Sequence, residues 1–294
     1  MADVDVSLAL HVRAEHSESP VWDWDAGCLW WVDITGRRVH RFDPESGQDC
    51  SWGTSGQPGG VVLGVDGQVV VGLPDGLALL DDSGATTLVV PIEADLPGNR
   101  SNDLKADRSG RVWVGTMAYD RTPGAGALYC VADGEPQVAV ADLTISNGPA
   151  IDGRDGRLYF ADTMAMVVDV CDFDADSGSL SARRRFLDFG DEKVWPDGMT
   201  VDAEGCLWLA LGRSGSVRRY RPDGRLDGVV EVPVSNPTSV AFGGTGGSDL
   251  FIATSWFDLT PEQREEQPLA GAVFSCRPGV SGVPAERAML TSGE

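Results

Sequence analysis

GCLWWVD (residues 27–33) and GCLWLAL (205–211) each consist of a turn residue, a short apolar run and a small, polar or aliphatic end. Four further stretches take the same form: GQVVVGL (67–73), GRVWVGT (110–116), GRLYFAD (156–162) and SDLFIAT (248–254). The six align without gaps, and successive starts lie 40, 43, 46, 49 and 43 residues apart. A period in the forties with a turn-then-strand signature predicts stacked four-stranded units, the blades of an all-β, six-bladed β-propeller. In such a ring the same position of every blade faces one central axis. Residues far apart in sequence can therefore form one site.

Outward from each repeat the pattern continues. A short inner strand precedes it, as in SPVWDWD (19–25), GGVVLGVD (59–66), GPAIDG (148–153) and GMTVDAEG (198–205). A third strand follows and ends in a tight turn, as in RRVHRFDPESG (37–47) and SVRRYRPDG (216–224). Glycine supplies the positive φ such turns require. A more variable fourth strand lies outside. The N-terminal LALHVRAEH (8–16) alternates like a strand and is expected to pair with the last blade. Without that closure the ring would leave two exposed sheet edges. The best helical candidate is LTPEQREEQ (259–267), where Thr260 is placed to cap one short turn. Six units occupy most of the chain, so residues 1–294 are expected to form a single propeller domain.

The formal net charge is −22, with 23 Lys and Arg against 45 Asp and Glu. This argues against a nucleic-acid partner, which needs clustered basic residues, and against a polybasic membrane anchor. The first residues, MADVDVSLAL, lack the basic-then-apolar order of a secretory signal, and no apolar run reaches the length of a membrane span. None of the six cysteines forms a C-x-x-C pair. Reduced thiols in a cytoplasmic protein are expected, in a monomer or weak homo-oligomer.

Counting back eight or nine residues from the start of each repeat reaches Glu18, Gly59, Asn102 (with Asp103 beside it), Asn147, Asp197 and Ser239. These positions precede the inner strands, at one mouth of the channel. Four of six blades thus direct an oxygen-bearing side chain at one spot. Two carboxylates and an amide oxygen there suit a hard or borderline divalent cation. Asn-Gly and Asp-Gly are also ordinary turn dipeptides, and Glu18 alone could be a solvated loop acid. Their common register, and the repulsion between Glu18 and Asp197 without a cation, favour a site. His11, His16 and His40 lack ligand spacing and are expected to be structural or exposed.

At these residues the chain resembles the regucalcin/gluconolactonase (senescence-marker-protein) family, and in appearance its bacterial sugar lactonases. The matching motifs are ESPVW (18–22), WVDI (31–34), NRSND with Lys105 (99–105), GTM (115–117), GALY (126–129), ISNG (145–148), PDGM with VDAEG (196–205), FGG (242–244) and PLAGAVF (268–274). They run in family order over nearly the whole chain. The resemblance implies one divalent metal, calcium, zinc, manganese, magnesium or ferrous iron, held by Glu18, Asn147 and Asp197. It implies sugar binding by Arg100 and Asn102, with Asp120 a looser match to a further substrate contact. NDLK departs from the family's frequent N-D-G-K, and YDRTPGAG (119–126) is shorter than the lid of animal members. The expected activity is metal-dependent hydrolysis of a sugar lactone to its aldonic acid, with Asp197 guiding or deprotonating the attacking water. Two other readings stay open: a non-catalytic calcium-binding or scaffold propeller, and a promiscuous aryl-ester or organophosphate hydrolase on the same site.

Overall fold

The computed structural model describes residues 4–290, in which twenty-four strands between Val6 and Cys276 form six four-stranded antiparallel sheets. Blades one to five span residues 17–53, 60–91, 99–143, 146–188 and 195–231. Blade six takes three strands from 237–276 and its fourth from the N-terminal strand Val6–Leu10, which pairs with Val273–Cys276. That strand ends at Leu10, short of the expected 8–16. The helix at Pro261–Glu266 carries a full capping box: the Thr260 hydroxyl accepts from the Gln263 amide, and the Gln263 side chain accepts from the Thr260 amide. No helix among the described residues is long and apolar enough to cross a membrane.

The repeated phrases form the second strand of every blade, and each is buried almost throughout. Their unbroken apolar character follows from being covered on both faces. Side chains alternate across a strand, so successive residues serve opposite neighbours. In blade one Cys28, Trp30 and Val32 pack toward blade two, while Leu29 and Trp31 pack toward blade six. In blade five Leu207, Leu209 and Leu211 face blade four, while Trp208 and Ala210 face blade six. The core is therefore six clusters, one at each blade interface.

Acids just beyond the inner strands pin two of the tryptophans. Asp107 accepts from Trp113 Nε1 at 3.0 Å and Arg111 Nε at 2.7 Å. Asp202 accepts from Trp208 Nε1 and Arg219 Nε, both at 2.8 Å. At that end of the channel the C-terminal segment leaves blade five through an Asp202–Gly282 bridge and reaches the opposite blade two through a Gly64–Ala288 bridge. It crosses the far mouth, and the other mouth carries the candidate site. All six cysteines are free thiols, four of them buried.

Candidate active site

Glu18, Asn102, Asn147 and Asp197 lie within the inner strands Ser17–Asp23, Asn99–Ala106, Ser146–Asp152 and Trp195–Val201, not ahead of them as the sequence suggested. Pairing with the second strand slips at the same place in each: between Glu18 and Val21, Ser101 and Leu104, Asn147 and Ala150, and Pro196 and Met199. Such bulges re-aim side chains and bend the strand. Here they turn residues that regular alternation would send into blade interfaces toward the axis. Blade two pairs without a slip and carries Gly59 at this position. A Cβ on Gly59 would lie 2.4 Å from the Ser101 carbonyl oxygen, so blade three's backbone fills that side.

Glu18, Asn102, Asp103 and Asn147 are all buried. Burial, followed by the Asp103 carboxylate and then Asp197, raises Glu18 well above the usual carboxylate range. Burial and then Asp103 do the same to Asp197. Asp103 itself is pushed up to about 6, mainly by burial, and accepts the Gly148 amide at 2.9 Å. Three carboxylates are thus held near one another with too little compensating positive charge.

Asn147 is oriented from behind. Its Nδ2 donates to Thr163 Oγ1 at 2.7 Å, and that hydroxyl donates to the Pro196 carbonyl at 2.7 Å. The amide oxygen is left to face the other site residues and accepts from Asn102 Nδ2. Asn102 Nδ2 also donates to the Ser146 carbonyl at 3.0 Å, while Asn102 Oδ1 accepts from Arg100 Nη1 at 2.8 Å. Arg100 is buried, and burial lowers its guanidinium to about 10.

Glu18, Arg100, Asn102, Asn147, Thr163 and Asp197 line a cavity of about 170 Å³, with Tyr119, Arg121, Trp195, Phe257 and Asp258 toward the rim, while Asp103 lies outside its lining. His16 also lines it, contrary to the structural or exposed role expected of the histidines. Burial, then Arg100 and Arg121, lower its imidazole to about 3, so it stands neutral. Its position two residues before Glu18 was the available signal. His40 is structural: it meets Asp49 at 2.7 Å and stacks on Trp31. Asp120 is the one candidate outside the group. It is exposed, and its carboxylate accepts from the Thr122 amide and hydroxyl at 2.9 and 2.7 Å. Its two neighbours, Tyr119 and Arg121, face the cavity in its place.

Among the described residues no three His, Cys, Asp or Glu side chains form a tight cation cage. The set expected here is two carboxylates and an amide oxygen. Its all-oxygen donors, its surplus of buried negative charge and the hydrogen-bonded orientation of Asn147 fit a hard or borderline divalent cation.

A fold of this type, with buried oxygen donors from several blades on its axis, defines a class of propellers with an axial site. The chain belongs to the SMP-30/gluconolactonase/LRE-like family, whose model matches residues 16–256. It is 33% identical to chicken (Gallus gallus) regucalcin, covering 97% of this chain and 98% of that one. It is 35% identical to a pentonolactonase of Haloferax volcanii, covering 98% and 99%. Among solved structures, a calcium-binding regucalcin from Agrobacterium tumefaciens superposes with a TM-score of 0.94 at 30% identity, covering 99% of this chain and 100% of that one.

Proposed function

We propose that the protein is a metal-dependent hydrolase that opens a sugar lactone to its aldonic acid. The observation that supports this best is the meeting of Glu18, Asn147 and Asp197 beside Arg100 in one cavity. Glu18, Asn147 and Asp197 would hold the cation; bound there, it would polarise the lactone carbonyl and offset charge developing on its oxygen. Asp197 orients the attacking water and takes its proton. Water adds to the carbonyl carbon, the ring C–O bond breaks, and the ring oxygen leaves as a hydroxyl after gaining a proton. Arg100 holds sugar hydroxyls through the N–H groups it does not spend on Ser101 and Asn102, and Asn102 sets its direction. The regucalcin and pentonolactonase relatives support a divalent cation and a lactone substrate respectively.

The test is a panel of aldonolactones followed by acid release, on chelated protein and after return of each divalent metal. Turnover that requires the metal is expected. Metal binding without turnover on any lactone would favour the scaffold reading, and faster aryl-ester than lactone hydrolysis would favour the esterase.

A further inference from the structure

Arg121 and Asp258 meet above the candidate site. Both belong to the connection between the second and third strands of a blade: Arg121 lies between Val112–Ala118 and Gly126–Ala132, and Asp258 between Asp249–Thr254 and Val273–Cys276. Their blades, three and six, stand opposite each other in a ring where every inner strand touches those of the adjacent blades. The contact therefore spans the mouth. Arg121 Nη2 lies 3.4 and 3.3 Å from the two carboxylate oxygens of Asp258. Both side chains are about one-third exposed, at 34% and 36%. Both also line the cavity, so the pair forms part of its wall.

The loop is built to present this arginine. Arg121 adopts a φ of 59°, unusual for a side-chain-bearing residue, and its amide donates to the Ala118 carbonyl at 3.0 Å. Asp120 fixes the turn through Thr122. The Arg121 guanidinium lies 5.9 Å from the Trp195 ring of blade five. Arg121 thus joins its own blade to two others, by one ion pair and one cation–π contact.

We propose that Arg121 and Asp258 form a latch across the mouth that restricts the site to lactones of single sugars. The inference rests on the proposed lactonase activity. A monosaccharide lactone fits beneath the closed latch. In a disaccharide lactone the second ring must leave through the place where Arg121 meets Asp258, so the pair must part. Partly exposed pairs are weak and salt-screened, which suits a contact that opens for each substrate.

The test compares kcat/KM for glucono-1,5-lactone and cellobiono-1,5-lactone, on metal-loaded protein, as a ratio. Wild type should favour the monosaccharide lactone. Arg121→Ala, Asp258→Ala and the isosteric Asp258→Asn should each shift the ratio toward the disaccharide lactone by about fivefold, the range open to a partly exposed ion pair. The exchanged pair, Arg121→Asp with Asp258→Arg, should move it back. Raising salt should relax wild-type selectivity but leave that of the single variants unchanged, a response that simple loosening of a loop would not give. Equal ratios in all variants with monosaccharide turnover retained would overturn the latch alone. Failure of wild type to open any lactone of the aldonolactone panel would overturn the proposed function and the latch with it.

Discussion

In the metal-free protein the buried Asp103 carboxyl should cost stability as pH rises, opposite in sign to the buried neutral His16, and Asp103→Asn should remove that cost. Burial lifts the folded-state Asp103 to about 6, against an unfolded value near 3.8. Below the unfolded value the carboxyl is protonated in both states and makes no difference. As pH rises through the folded value, the unfolded chain carries the charge in water while the folded chain must carry it in the pit. A gap of about 2 pH units corresponds to about 3 kcal/mol, fully expressed above about pH 7. Glu18 and Asp197, also raised, act in the same direction. An asparagine at 103 keeps an oxygen for the Gly148 amide and removes the charge, relieving Glu18 and Asp197 at the cost of the attraction to the buried Lys105. Calorimetry in chelator should find the two proteins melting together at about pH 3 and the variant melting higher at about pH 8. The expected separation is about 6 °C, at roughly 2 °C per kcal/mol for a chain of this size. Repulsion across the acidic surface acts on both proteins, so their difference isolates the pit. Parallel curves, or a less stable variant at high pH, would refute the argument. Excess divalent cation should narrow the gap by giving the carboxylates a positive neighbour.

Glu18→Gln or Asp197→Ala should abolish stoichiometric metal binding by titration calorimetry; an Asp197→Ala protein that binds as wild type does would move the site elsewhere. Arg100→Ala should keep its metal and lose about ten- to a hundredfold in kcat/KM on sugar lactones, chiefly through KM, with a smaller loss on a lactone lacking ring hydroxyls. Thr163→Val would leave Asn147 Nδ2 without its acceptor and should weaken metal affinity by about 10–100-fold. Thr163→Ser should restore it, and equal affinities in all three proteins would deny Thr163 an orienting role.

The ring was legible because both faces of each second strand are covered, which makes runs such as LWLAL continuously apolar at a fixed period. The axial residues were legible by register: Glu18, Asn102, Asn147 and Asp197 occupy one position counted from the repeats. The bulges that aim them were not, since a pairing slip leaves no residue type of its own. Thr163 follows the repeat GRLYFAD and supports Asn147 from sixteen residues away, a relation set by strand pairing. The N-terminal strand was placed too late because alternation continues past Leu10 while pairing with Val273–Cys276 does not. Asp120 carried the loose match, yet a turn bends its carboxylate back toward Thr122 and presents the residues on either side.

Each blade contributes at most a few atoms to the axial cavity, and no single blade holds both proposed carboxylate ligands. Blade one brings Glu18, blade four Asn147 and blade five Asp197, and their spacing is set by ring circumference, not by any local hairpin. That circumference is fixed only once Val6–Leu10 takes its place beside Val273–Cys276, from the opposite end of the propeller sequence. Ligand affinity in this architecture is therefore a gauge of whole-ring integrity. A nick or shortening at the N-terminal strand, far from the cavity, should register there as a loosened grip before any blade unfolds.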